Sequence, residues 1–100
     1  MYVSRLAFHT LPGRTGEVEQ ALGHLRDLVE AAGGRRPRVL RAHYASLGAP
    51  DLVFEQEAED LAALEGQIGR VTESVDFQAW SRGVSAMLAQ SPKREVYLAL

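Results

Sequence analysis

The stretch VLRAHYASLGAPDLVFEQE, residues 39–57, decides the fold. Val39 to Ser46 reads as one strand and Asp51 to Glu57 as another, with Leu47-Gly48-Ala49-Pro50 as a hairpin-like turn between them. Strands this close in sequence pair antiparallel. Whatever surrounds the hairpin must therefore build on a sheet.

Upstream, Val18, Ala21, Leu22, Leu25, Leu28, Val29 and Ala32 recur at three- and four-residue spacing and form one apolar stripe. They predict a helix, with Thr15 as N-cap and Gly33-Gly34 as its C-terminal stop. A stripe on one side only implies a helix lying on a sheet. Before it, Tyr2 to Thr10 alternates as a strand and ends at Pro12-Gly13. Downstream, Asp60 can cap a second helix that carries Leu61, Leu64, Ile68 and Val71 on one face. A break near Thr72 to Ser74 leads to a third helix with the stripe Phe77, Trp80, Val84, Met87 and Leu88, ended by Ser91-Pro92. Arg94 to Leu100 closes the chain as a strand. The order is βαββαβ with the second helix split in two. That predicts a ferredoxin-like α+β sandwich, one domain over residues 1–100, with sheet order 4-1-3-2.

Helices can cover one face of such a sheet. The more apolar face carries Leu6, Phe8, Leu40, Tyr44, Phe54, Val96 and Leu98. The other then holds Arg5, His9, Arg41, His43, Glu55, Glu57, Glu95 and Tyr97 among Val3, Val39 and Val53. This mixture is too apolar for a solvated face and too charged for a simple core. A second sheet laid over it, with the charges paired, accounts for both properties, so the chain is expected to pair with a copy of itself.

The bulk numbers exclude several function classes. The chain is 46% hydrophobic and 24% charged, an ordinary globular balance. A net charge of -2 gives no reason to expect nucleic acid or an anionic membrane as partner. The absence of cysteine removes disulfides, thiolate metal sites and cysteine nucleophiles. No run approaches the ~20 apolar residues of a membrane span, and no leader segment is visible, so the expectation is a soluble cytoplasmic protein.

Tyr44 to Gly48, Asp51-Leu52-Val53-Phe54-Glu55, Glu59 to Glu65, Ser74 to Trp80 and Arg94 to Leu98 together resemble the NIPSNAP family, within the dimeric α+β barrel superfamily. The resemblance covers roughly residues 39–100; the first strand and helix fit in layout only. It implies a homodimeric barrel but no shared catalytic set. The superfamily also holds small monooxygenases and haem-degrading enzymes. The haem-degrading group uses an Asn, a Trp and a His. Trp80 matches in placement, but the chain contains no asparagine, which argues against haem.

His9 and His43, with Glu55 and Glu57, suggest a two-His, one-carboxylate site. The predicted strand order separates the histidine backbones by ~10 Å, which argues against a shared metal. His9, His43 and Tyr97 remain catalytic candidates, and Tyr44 and Trp80 ligand-binding candidates. Phe77 and Trp80 at helical spacing read as core first. Gly13-Arg14-Thr15-Gly16 is not a phosphate-binding fingerprint. Arg35-Arg36-Pro37-Arg38 reads as a solvated basic loop. No cofactor is expected. The leading reading is a NIPSNAP-like homodimer that holds a small organic ligand between sheet and helices and acts as a cofactor-free oxygenase or isomerase. The alternative is a non-enzymatic binding or protein-interaction module.

Overall fold

In a computed structural model describing residues 1–100, the chain runs β1 (Tyr2–Phe8), α1 (Thr15–Ala31), β2 (Arg35–Arg41), β3 (Leu52–Ala58), α2 (Leu61–Thr72), α3 (Val75–Ser85), β4 (Lys93–Leu98). The strands form one antiparallel sheet in the order β2-β3-β1-β4. This is the ferredoxin-like α+β arrangement that the βαββαβ order predicts. No helix is long and apolar enough to cross a membrane.

The core lies between α1 and the two central strands. Val18, Leu22, Leu25 and Val29 of α1 pack with Phe8 of β1 and with Leu52 and Phe54 of β3. Each such side chain contributes about 1.5–3 kcal/mol by leaving water. Asp60 caps α2 by accepting from the Ala63 N–H, and Ser74 caps α3 by accepting from Phe77. The break between these helices therefore follows from the capping signal at Ser74. Thr15 is not the cap of α1 but its first residue. Its hydroxyl lies 2.6 Å from that of Thr10, and Thr10 in turn donates to Asp51.

The second strand departs from the sequence reading. It begins at Arg35 and ends at Arg41, so Arg35-Arg36-Pro37-Arg38 is strand and His43 and Tyr44 fall in the loop. Pro37 has no N–H to give a ladder, which an edge strand tolerates. The register shifts between Arg35 and Arg38, where Arg36 adopts φ 47°, the left-handed region. After that shift Val39 pairs with Phe54, and Leu40 with Val53. Val39 thus joins the helix side and Leu40 the open side, the reverse of the expected parity. Arg41 follows Val39 and pairs with Glu19 of α1, while Arg38 takes the place foreseen for Arg41 beside Glu55.

Candidate functional site

Four polar residues stand in rows that are otherwise apolar. In β1 the helix-side row is Ser4, Leu6, Phe8; in β3 it is Leu52, Phe54, Gln56, Ala58; in β4 it is Arg94, Val96, Leu98. The inward stripe of α2 is Leu64, Gln67, Val71. Ser4, Gln56 and Gln67 are buried. A polar group out of water is costly without a partner, so a polar residue in a core row is informative where an exposed one is not.

The register brings these residues together. Ser4 lies opposite Gln56 on one side, and Leu6 lies opposite Arg94 on the other. The Arg94 guanidinium reaches inward across β1 and donates from Nη1 to Ser4 Oγ at 3.1 Å. No carboxylate pairs with it; the ion pairs of this chain are Arg5–Glu55, Arg14–Glu17, Arg35–Glu59, Arg38–Glu55 and Arg41–Glu19. Arg94 is exposed as a whole residue, but its side chain lies partly out of water, which pushes its pKa down; an arginine nonetheless stays charged at neutral pH. Above the four residues, Leu25, Phe54, Val71 and Phe77 line a cleft between sheet and helices. Its volume is about 40 Å³, room for a water or two and well short of the ~150 Å³ cavity that accepts benzene. A ligand larger than a few atoms would part α2 and α3 or enter by one end only.

The same architecture occurs in solved structures. A protein from Nitrosomonas europaea, provisionally named an antibiotic biosynthesis monooxygenase, matches with a TM-score of 0.75 over 100% of this chain and 99% of its own, at 17% identity. One from Bordetella bronchiseptica with the same provisional name matches at 0.68 over 99% and 97%, at 23% identity. An uncharacterized NIPSNAP domain protein from Burkholderia xenovorans matches at 0.73 over 100% and 95%, at 14% identity. The shared property is the fold. At that level the chain is similar to a NIPSNAP domain protein and shares its ferredoxin-like α+β fold. No family model matches the chain. No curated protein matches it either.

The residues singled out from sequence lie elsewhere. His9 sits just beyond β1, with Nε2 3.2 Å from the Gly48 carbonyl and Nδ1 3.0 Å from Gln90 Nε2. A neutral ring that donates to Gly48 and accepts from Gln90 satisfies both contacts, and it ties two loops together. His43 and Tyr44 stack edge-on in the β2–β3 loop at 4.6 Å, and Tyr44 is 93% exposed. Tyr97 is on the open face under Arg5, whose guanidinium carbon lies 5.8 Å from the ring centroid. A hydrogen bond to Glu95, then burial and the Glu95 charge, raise the Tyr97 pKa, and Arg5 opposes them. Trp80 donates from Nε1 to the Ala21 carbonyl at 2.6 Å and packs beside Phe77 against the core, bracing α3 on α1. None of these five lines the cleft. No group of three or more His, Asp or Glu is placed to hold a metal ion.

The open face has its own centre. Glu55 is 2% exposed there, held by Arg5 Nε on one oxygen and by Arg38 Nε and Nη2, at 2.9 and 2.7 Å, on the other. Burial alone would raise the Glu55 pKa, but the hydrogen bonds from Arg38 and Arg5, with their charges, bring it below the ordinary value.

Ser4, Gln56, Gln67 and Arg94 escaped sequence reasoning. The signal was available: each breaks an apolar row whose face the period already assigns.

Proposed function

We propose that this chain binds a small organic molecule whose ionised oxygen meets Arg94 in the cleft between sheet and helices. The observation that carries the reading is a guanidinium with a serine hydroxyl for partner and no carboxylate, facing apolar side chains. An anion there would supply the missing counter-charge, and low polarity strengthens the attraction. A phenolate, enolate or carboxylate is the matching chemistry. Stabilising an enolate or phenolate is the step that a cofactor-free oxygenase and an isomerase have in common, because the electron-rich anion carries the reaction onward. The monooxygenase names of the structural neighbours point the same way, although their likeness to this chain is one of fold.

A purely binding role has an observation in its favour. No side chain lining the cleft is a competent general base near neutral pH. An enzyme of this design would take a substrate that ionises readily, and Arg94 would act by lowering its pKa. Titration calorimetry with 4-nitrophenolate and, separately, nitrobenzene tests the binding step. The phenolate should bind the native chain at least about tenfold more tightly than nitrobenzene, and Arg94→Gln should erase the difference. Equal affinities would remove the reading.

We infer further that the protein is a cytoplasmic homodimer paired through the open face, one domain per copy. Val3, Ala7, Val53 and Leu40 are apolar there, and the Arg5–Glu55–Arg38 group leaves one positive charge over, which Glu57 and Glu95 on the same face can balance when the face is covered. Sedimentation equilibrium at micromolar concentration should return about twice the chain mass; a clean monomer would refute the pairing.

A further inference from the structure

A second, larger space opens on the far side of Gln56 and Gln67. It is a groove of about 340 Å³ between α2, the end of β3 and the turn at Gly33–Arg35. Small residues, Ala62, Ala63 and Gly66, keep the α2 wall low. Gly34 is required opposite: a Cβ there would lie 2.4 Å from Val29 and 3.0 Å from Gln56 Oε1. Gln56 and Gln67 line both the cleft and the groove, so they form the partition between them.

The partition is chemically unfinished. Gln67 is 5% exposed, and neither Oε1 nor Nε2 of its amide has a hydrogen-bond partner in the protein. Gln56 Oε1, on the same groove, is a buried acceptor in the same condition. The nearby arginines do not serve them. Arg70 donates to the Ala32 carbonyl at 3.1 Å, and Arg35 pairs with Glu59. Leaving buried polar atoms unmet is destabilising, and an apolar side chain of the same length would avoid it.

The unmet set specifies a ligand. It has two acceptor oxygens and one donor nitrogen, so the complement carries N–H groups and one carbonyl. Arg35 is neutralised by Glu59, but Arg70, which has no carboxylate partner, disfavours a cation. A carboxylate would meet both oxygens with none of the donors they need. We propose that the α2 groove is a second ligand site, selective for a neutral planar molecule with adjacent N–H and C=O groups, a primary carboxamide or a lactam, which pairs with the Gln67 amide. This site does not rest on the oxyanion reading of Arg94.

Benzamide is the probe, with acetophenone as the equally flat molecule that lacks N–H. Amide-detected NMR of the uniformly ¹⁵N-labelled full chain follows both titrations. Benzamide should shift the side-chain NH₂ signals of Gln67 and Gln56 and the backbone signals of Gly34 and Gly66, saturably. Acetophenone should bind about tenfold more weakly or worse, the loss that one unmet buried hydrogen bond produces. Gln67→Met should abolish benzamide binding and raise the melting temperature. Equal affinity for the two probes, the absence of saturable shifts at the groove, or unchanged binding by Gln67→Met would each overturn the proposal. So would a lower melting temperature for Gln67→Met, since it would mean that the amide serves the fold.

Discussion

β3 and β4 flank the same strand, β1, and each sends a largely apolar row to the helix side, yet the chain treats them differently. In β3 five of seven residues are buried, including Glu55 on the open face; in β4 all six are exposed. β3 lies inside the sheet beneath the helices, with ladder partners on both sides. β4 is an edge, and the row Arg94, Val96, Leu98 has little above it. Alternation assigns a residue to a face. Whether anything covers that face depends on where the strand falls in the sheet, and β4 is where the structure leaves room for a ligand.

The largest expected effect comes from exchanging equivalent core rows. Phe54→Ala should cost about 3–5 kcal/mol of folding stability, because Phe54 is 3% exposed in the main cluster. Val96→Ala, at 43% exposure, should cost about 0.5 kcal/mol. Urea unfolding of both variants checks the contrast. A Val96 loss as large as that of Phe54 would show that the helix side of β4 is covered after all.

A smaller effect separates the acidic residues on the open face. Glu55→Gln should cost about 1–3 kcal/mol at neutral pH, since it weakens charge-assisted bonds from Arg5 and Arg38. The folded Glu55 pKa lies below its ordinary value of 4.5. Its contribution is therefore complete above pH 4.5 and drains away as the pH falls through the depressed folded pKa. The stability gap between native protein and Glu55→Gln should stay constant from neutral pH down to about 4.5 and narrow below it. Glu95→Gln on β4, which joins no ion pair, should open no comparable gap. A gap that widened in acid would contradict the depressed pKa.

How much of this the sequence carried depends on the element. The α1 stripe, the helix cap at Asp60, the helix break near Thr72 to Ser74 and the order of the strands follow from period, capping chemistry and connectivity, and all are present, whereas the cap expected at Thr15 is not. β2 was misplaced because Arg35-Arg36-Pro37-Arg38 has the composition of a loop. Only an edge position makes it strand, and its parity depends on the shift at Arg36. The site was hidden for a different reason. Histidines and tyrosines attract attention by residue type, whereas Ser4, Gln56, Gln67 and Arg94 matter by position, as polar members of buried or inward rows. That property appears only after the faces are assigned.

The central claim is that Arg94 stabilises a bound oxyanion, and the ionisation of bound 4-nitrophenol reads it directly. Its absorbance reports phenolate formation across a pH titration in the presence of saturating protein. The account predicts that the bound phenol ionises at a lower pH than the free one, and that Arg94→Gln returns it to the free value. A bound phenol that ionises at the free value or above it in the native protein would contradict the account.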